Sequence, residues 1–532
     1  MGIADLPPIA KRILAARGKK EEEIETFLLS RLSDLSDPFL LPDMEKATER
    51  AMRAIRSQEK VGLFADYDAD GITSAALVFR FLRRLSLAPV VYIPKRSEGY
   101  GLSRRAIEVF RKEGVSLLLC LDCGSTNEEE IAFAKENGLD TIVIDHHEIT
   151  SPPSGAEACV NPKRQDSSFP TRELASAGVT FFFLMALRRK LTEAGIIKEK
   201  VNLRTELDLV AVGTYADMVP LEKDNRILVR HGLQVMRERP REWLNVTKRM
   251  GVVGTTIDEW TMNFLIVPRI NAPGRIEDPM SSFIYVTSED RSEIEKAFAH
   301  LCMCNAERQR MEEETLREAV EMIEREGLLA RRFLVLHKRG WPLGVLGLVA
   351  QRLAETYKRP CIVLSEQDGL WKGSGRGVEG FDLYGTLSCL SHLFSRFGGH
   401  KYACGLTLEE GSLARLKDEV EGLLEGFETV RREAVIDAEA EFEELTAGFA
   451  EFMELLSPFG VGNPRPSLLL RPKRLELKDG EHVKIIDRKN VTWDGILRTQ
   501  PKQTFRAIIA SPQVVERGGA SFVHLLVTEF LE

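Results

Sequence analysis

Long apolar runs are missing from this 532-residue sequence. None reaches the roughly 18 residues that a membrane helix needs. Met1 to Arg17, interrupted by Pro7 and Pro8, lacks the apolar core of a signal peptide. A cytoplasmic chain with no membrane partner is the expectation. Cysteine is scarce, and eight in a chain this long make no disulfide scaffold. Cys120 and Cys123 form a CxxC, and Cys302 and Cys304 a CxC. Neither has the paired spacing of a zinc site, so the cysteines read as core residues of a reduced protein. Positive charge is not in excess either. The net charge of −8 does not advertise nucleic-acid binding, although the field inside a cleft is local and does not follow the net charge.

What is present is alternation. Apolar strands read at 61–65, 89–93, 116–121 and 141–145, with helices near 73–85, 103–113 and 127–137 between them. That pattern predicts a parallel α/β sheet with crossover helices. More helix reads near 174–193 and 203–215. Residues 289–326 contain no Pro or Gly and predict one long helix that connects two domains. A second α/β unit follows, with a strand at 333–337, a helix at 344–357, a strand at 361–364 and the Gly-rich patch "KGSGRGVEG". Between Arg471 and Arg506 ten Lys or Arg stand against five acids, on short strand-like runs with turns placed at Asp479-Gly480 and Asp494-Gly495. A small β-barrel of the OB type with a basic face fits that stretch. The expected division is a polar helical extension over 1–45, a catalytic domain over 46–285, a connecting helix over 286–328, a substrate-binding domain over 329–432 and a nucleic-acid-binding β-barrel over 433–532.

In the first domain, strand after strand ends in an acid or a histidine. "LFADYDADG" places Asp66, Asp68 and Asp70 after the first strand, "SLLLCLD" ends at Asp122, and "TIVID" runs into Asp145, His146 and His147. "LVAVGTYADMVPL" adds Asp217. Singly, each reads as a turn former or a helix cap. Together they gather like charges at one sheet edge, where they need cations or protons. An EF-hand is excluded, because Ile72 to Val78 offers no oxygen-rich loop and no twelfth-position Glu. Oxygen ligands with some imidazole suit Mn²⁺ or Mg²⁺, and two such ions serve in-line phosphoryl displacement.

"DHH" at 145–147, with "DYDADG", "DCG" at 122–124 and "GTYADMVPL", resembles the DHH phosphoesterase superfamily. "IPKRSEGYGLS" (93–103), "PRINAPGRI" (268–276), "GVLGLVAQRL" (344–353), "GSGRG" (373–377), "FGGHKYACGLTL" (397–408) and "SPFGVGNPRP" (457–466) narrow the resemblance to the RecJ family of bacterial single-strand-specific DNA exonucleases, with its DHH–DHHA1–OB arrangement. The match runs in order over nearly the whole chain after residue 45. It implies that Asp68, Asp70, Asp122, His146, His147 and Asp217 hold one or two divalent ions, with Asp66 and Asp145 as bridging or supporting groups. It implies phosphate contacts from Arg96, Arg269 and Arg275, and DNA contacts near the scissile bond from Ser374, Arg376 and His400. It also implies a single-stranded-DNA-binding protein and a RecQ-type helicase as partners.

The implied activity is two-metal, 5′→3′ hydrolysis of single-stranded DNA to 5′-mononucleotides, in DNA repair and recombination. The alternative within the superfamily is a phosphoesterase for short oligonucleotides or nucleoside phosphates, for which a basic C-terminal barrel would be idle. Loss of catalysis with retention of DNA binding is a further alternative, but every expected ligand is present. Three positions depart from the family pattern: Pro342 follows Trp341 where a His is usual, Ala65 replaces the usual Gly, and Gly377 replaces the usual Ser. None is a metal ligand.

Overall fold

The computed structural model describes residues 5–197, 201–254, 256–424, 435–502, 504–517 and 520–532. The domain boundary expected at 432 lies outside these. Two short helices, α1 (Pro8–Ala16) and α2 (Glu21–Leu29), precede α3 (Met44–Arg56). A five-stranded sheet follows: β1 (Val61–Ala65), β2 (Val90–Tyr92), β3 (Leu117–Leu121), β4 (Asp140–Ile144) and β5 (Ala158–Val160). Its spatial order is β2-β1-β3-β4-β5, and every pairing is parallel. Every residue of β1 and β3 is buried. That is why both read as unbroken apolar runs, since helices cover the two faces. On one face lie α3, α4 (Ala69–Arg84) and, beyond α5 (Arg104–Lys112) and α6 (Glu128–Glu136), α7 (Ser176–Glu193). On the other lie α5 and α6. The chain leaves β1 toward β2 on one side and reaches β3 on the other. A topological switch point therefore opens between β1 and β3, the crevice in which ligands of such sheets bind.

Helices α8 (Leu207–Ala216), α9 (Lys223–Glu238), α10 (Glu242–Arg249), α11 (Val267–Ile276) and α12 (Met280–Thr287) extend this unit. The predicted long helix is α13 (Arg291–Arg325), 35 residues long, or about 50 Å at 1.5 Å per residue. It packs against α11 and α12 at one end and against α14 (Leu346–Tyr357) at the other. The second sheet holds β6 (Leu334–His337), β7 (Cys361–Gln367), β8 (Leu370–Arg376), β9 (Arg396–His400) and β10 (Ala403–Glu409), in the order β6-β7-β8-β10-β9. Two short helices, α15 (Leu383–Ser388) and α16 (Leu413–Gly422), pack on it. The Gly-rich patch is only partly a loop: "KGSGR" lies inside β8, and "GVEG" follows it as a turn. A Cβ on Gly373 would lie 2.1 Å from the Val363 carbonyl oxygen, and one on Gly375 would lie 2.7 Å from Cys404 Sγ. Those glycines let strands and side chains approach closely.

The C-terminal β-rich part is a seven-stranded sheet, ordered β11-β12-β16-β17-β15-β14-β13. Its strands are β11 (Ala438–Glu439), β12 (Leu468–Leu470), β13 (Arg474–Leu477), β14 (His482–Ile486), β15 (Thr492–Leu497), β16 (Ala507–Arg517) and β17 (Ala520–Leu531). Asp479-Gly480 sits in the β13–β14 turn as expected, but Asp494-Gly495 lies within β15. The actual β14–β15 turn is 487–491, where Asp487 accepts from the amides of Lys489 and Val491 and Asn490 takes a φ of 65°. The polar extension expected over 1–45 also has a different role. Leu6, Ile9, Ala10, Ile13 and Leu14 pack into one core with Phe449, Phe452 and Met453 of α17 (Ala447–Leu456) and with Leu468, Ile508 and Leu525 of the sheet. The alternation of polar and apolar residues in "PIAKRILAA" is an amphipathic helix whose partner lies far away in the sequence, near the other end of the chain.

"SPFGVGNPRP" fastens this part to the first. Arg226 of α9 donates to the carbonyls of Leu455 and Ser457 at 2.9 and 3.0 Å and to that of Phe27 at 2.8 Å. Glu259 accepts from the Ser457 hydroxyl and the Phe459 amide, and the Leu221 amide donates to the Val461 carbonyl. Truncating the fully buried Ile13 to Ala should therefore cost about 2–5 kcal/mol. The loss should appear in chemical denaturation as earlier unfolding of the C-terminal part, whereas Lys11→Ala, on the exposed face, should change little.

Candidate metal centre

The strand ends deliver their acids to the switch point. Asp68 caps α4 by accepting from the amides of Asp70 and Gly71 at 2.9 and 3.1 Å. Asp70, inside the first turn, accepts from the amides of Ser176 and Ala177 at 2.7 and 2.9 Å, so the start of α7 holds it in place. Two close approaches need glycine. A Cβ on Gly71 would lie 2.5 Å from the Asp66 carbonyl oxygen, and one on Gly213 would lie 2.5 Å from Asp70 Oδ1. Asp122, just past β3, takes a φ of 63°, a conformation rare for a residue with a side chain and frequent at functional sites. Asp145 follows β4. Asp217 ends α8.

These groups converge. Asp66, Asp68 and Asp122 form one group of carboxylates, and Asp70, His146 and Asp217 form another, the ligand atoms within each lying within 4.8 Å of one another. A third group, Asp122, His146 and His147, joins the two. His146 Nε2 lies 3.3 Å from Asp122 Oδ1 and 3.9 Å from Asp70 Oδ2, and its Nδ1 lies 3.4 Å from Asp217 Oδ2. Asp145 is in no such group. It accepts from the amides of Ser125, His146 and His147 and from His147 Nδ1 at 2.8 Å. It therefore orients the second histidine, the supporting role that a carboxylate plays behind a metal-bound imidazole.

The electrostatics are those of a cation site. Burial, then Asp68, pushes the Asp66 carboxyl up to about 8 and that of Asp70 to about 7. Burial, then Asp70, raises Asp122 and Asp217 well above the carboxylate range. Burial and the neighbouring His147 push His146 down to about 3, which favours the neutral ring that a cation needs. Burial works against charge on His147, but Asp145 outweighs it and holds that ring up at about 9. Burial likewise opposes charge on Asp145, which the two histidines and Ser125 nevertheless keep below the usual range. Asp66 Oδ1, Asp122 Oδ1 and His146 Nδ1 are buried without a hydrogen-bond partner. Buried polar atoms almost always have one, so a donor set of this kind fits hard divalent cations.

A cleft runs from this edge to the second sheet. A cavity of about 1020 Å³ is bordered on one side by Tyr67, Arg96, Tyr100, Asp145 and His147, and on the other by Ser374, Tyr384, Phe397 and His400. It shares Arg96, Lys372 and Arg396 with an adjoining cavity of about 860 Å³ that Lys95 and Arg275 also line. The His147 and His400 rings stack across the cleft with centroids 5.9 Å apart and planes 23° apart. Arg96 lies over the Tyr67 ring at 4.6 Å. Arg275 donates to the Gly344 carbonyl at 3.2 Å, and burial and then Arg96 push its pKa down to about 10. Gly344 in turn leaves no room for a Cβ, which would lie 2.1 Å from the Arg275 carbonyl oxygen.

Two residues expected at the DNA, Arg269 and Arg376, are not in the lining of either cavity. Arg269 on α11 donates to the Leu265 carbonyl at 2.7 Å and lines neither cavity. Arg376, on the same face of β8 as Lys372 and Ser374, is mostly buried and donates to the Gly375 carbonyl at 2.8 Å. One of its terminal nitrogens lies 2.8 Å from where a Cβ on Gly347 would stand. Sequence reasoning missed Tyr100, whose hydroxyl reaches the Asp122 carbonyl and the His147 ring. It missed Asn271, which accepts from the Ala69 amide at 2.7 Å. It also missed Lys95, Lys372, Arg396 and the stacked Tyr384–Phe397 pair. Lys95, Tyr100, Asn271, Lys372 and Phe397 do stand inside quoted motifs, and that is the one available signal; Tyr384 and Arg396 stand outside them.

Residues 60–214 match the DHH family, N-terminal domain, and residues 330–426 the DHHA1 domain. The single-stranded-DNA-specific exonuclease RecJ of Bacillus subtilis (strain 168) is 36% identical over 482 residues, covering 88% of this chain, which spans 59% of that protein's length. Its counterpart from Dickeya dadantii (strain 3937) is 33% identical over 506 residues, covering 90% of this chain and 87% of the relative. The crystal structure of RecJ from Thermus thermophilus in complex with Mn²⁺ superposes with a TM-score of 0.84 at 26% identity, covering 99% of this chain and 76% of that one. A second structure of the Thermus protein holds Mg²⁺.

The ligand geometry makes a test. Asp122→Ala and His146→Ala should abolish Mn²⁺ binding measured calorimetrically. Asp145→Asn, which leaves every ligand in place, should weaken it by about 10–100-fold, the usual cost of losing such a supporting group.

Proposed function

Because this chain belongs to the RecJ family of single-stranded-DNA-specific exonucleases, we propose that it hydrolyses single-stranded DNA from a 5′ end to 5′-mononucleotides. One observation carries this reading. The two carboxylate groups joined through Asp122 and His146 open onto a cationic cleft that the second sheet closes, with His400 against His147. In the proposal, Asp66, Asp68, Asp70, Asp122, His146, His147 and Asp217 hold one or two Mn²⁺ or Mg²⁺ ions. Bound there, a pair of such ions activates water and stabilises both oxygens of an in-line displacement at phosphorus.

The chain's own residues supply the rest. Arg96 and Arg275 present planar donors to phosphate. Ser374 and His400 reach the scissile phosphate from the opposite wall, and His400 donates to its oxygens as charge develops. Arg269 and Arg376 stand outside the lining of the two cavities, and their DNA contacts belong to the proposal as well. Tyr384 and Phe397, their rings 5.1 Å apart and nearly parallel, offer a stacking face that accepts any base. Pro342 lines the cleft beside Arg275, so the contact expected of the usual histidine there is absent and its load falls on neighbouring cations.

The basic stretch of the C-terminal sheet is a weaker candidate for DNA than its composition suggests. Arg471, Arg474, Lys484, Lys489, Arg498 and Lys502 each pair with a carboxylate. A single-stranded-DNA-binding protein and a RecQ-type helicase remain proposed partners, by family resemblance alone. No helix among the described residues is long and apolar enough to cross a membrane.

End-labelled 30-mers, single-stranded and duplex, with Mn²⁺, Mg²⁺ or EDTA, test the proposal. The 5′-labelled single strand should be consumed and the duplex spared. Equal turnover of a dinucleotide would favour the small-substrate phosphoesterase. In single-turnover assays at saturating DNA, His400→Ala should lose about 2–4 kcal/mol of transition-state stabilisation. If saturating DNA restores the full rate, His400 only positions the strand.

A further inference from the structure

The CxC motif of the long helix is not absorbed by the nuclease reading. Its second cysteine stands one helical turn after His300, and α13 brings both toward Glu277, the residue that ends α11. Glu277, His300 and Cys304 offer ligand atoms that all lie within 4.8 Å of one another, the one such group among the described residues outside the centre above. His300 Nε2 is 3.1 Å from Glu277 Oε2 and 3.6 Å from Cys304 Sγ. Tetrahedral bonding to Zn²⁺ would put nitrogen and sulfur about 3.6 Å apart, and nitrogen and oxygen about 3.4 Å apart, given the usual Zn–S, Zn–N and Zn–O lengths. The side chains therefore stand close to ligand spacing already.

The other ring nitrogen also has a partner. His300 Nδ1 lies 3.1 Å from Ser281 Oγ, and that hydroxyl donates to the Asp278 carbonyl. With a cation on Nε2, the Ser281 oxygen would accept from Nδ1–H; without one, Nε2–H can donate to Glu277 Oε2. A histidine that binds metal through one nitrogen is usually fixed in this way through the other. Glu277 lines the cleft and His300 is partly exposed, so an ion has a path in and a fourth position open to water.

We propose that Glu277, His300 and Cys304 form a second cation site, selective for Zn²⁺ over Mg²⁺ and Mn²⁺, that ties the end of α11 to α13. A thiolate and an imidazole favour zinc, whereas the carboxylate-rich centre favours hard ions. Arg275 lies two residues from Glu277, so the bound ion would fix the end of the helix that presents this cation to the cleft. Burial, then Glu277, pushes the Cys304 thiol up to about 11. Binding therefore displaces a proton.

The test uses the full chain, stripped with a chelator and held in excess Mg²⁺ to fill the carboxylate centre. On titration with Co²⁺, the wild type and Cys302→Ser should develop a thiolate-to-Co²⁺ charge-transfer band in the near ultraviolet, bleached by Zn²⁺. Cys304→Ser should lose the band, and His300→Ala should bind Co²⁺ at least tenfold more weakly. Zn²⁺ should raise the melting temperature of the wild type in Mg²⁺ by more than it raises that of His300→Ala, whose partly exposed side chain can be removed without opening the core. No band in the wild type, an undiminished band in Cys304→Ser, or wild-type affinity in His300→Ala would overturn the proposal.

Discussion

The carboxylates of Asp66, Asp68, Asp70, Asp122, Asp145 and Asp217, brought to one edge of one sheet, repel one another, and the first part of the structure is organised around holding them there. Asp70 is pinned by the two amides that begin α7, Asp68 by the first turn of α4, and Asp145 by three amides and an imidazole. Asp66 and Asp122 keep oxygens with no partner at all. Burial that raises carboxyl pKa values so far is a cost to folding unless a cation offsets it. The glycines at 71 and 213 follow from the same constraint, because any side chain there would displace the backbone or carboxylate that the site needs. The helices do more than cover the sheet: their N-terminal amides replace the water that buried carboxylates would otherwise require.

The second constraint is closure. A metal edge open to solvent would act on any accessible phosphate ester. Here the second sheet stands across from it, carried by α13, and the contact is made by specific atoms: the His147–His400 stack, and Arg275 against Gly344. The distance from the carboxylate edge to the opposite wall is thus set by backbone packing, not by flexible surface charges. The connecting helix explains how two sheets with separate cores keep that spacing.

Much of this was legible in sequence because the signals are local. Every strand predicted in the first sheet is present to within a residue or so, and so is the long helix, since unbroken apolar runs and an uninterrupted stretch without Pro or Gly each report directly on local structure. The acids were legible because each stands at the end of such a run. What could not be read is non-local. That "GSGR" belongs to a strand depends on Val363 and Cys404, which approach where its side chains are missing. Asp494-Gly495 has turn composition, but its cross-strand partners hold it inside β15. α1 looks polar because its apolar face meets Phe449 and Leu468, which no window around residue 10 contains.

Closure and charge together bear on how such a cleft would choose its substrate. Arg96, Arg275 and Arg396 line it outside any ion pair seen among the described residues, whereas the cations of the C-terminal sheet are largely neutralised by their own ion pairs. Phosphate neutralisation dominates sequence-independent affinity, so the attraction is concentrated where the opposing walls are close. In the proposal, Tyr384, its ring stacked on Phe397, would add a π-face for an unpaired base, whereas a duplex presents its bases already stacked and paired. Selection for a single strand then needs no reading of base edges. It follows from placing the charge and the aromatic face inside a passage whose width the stacked histidines and the Arg275–Gly344 contact already fix.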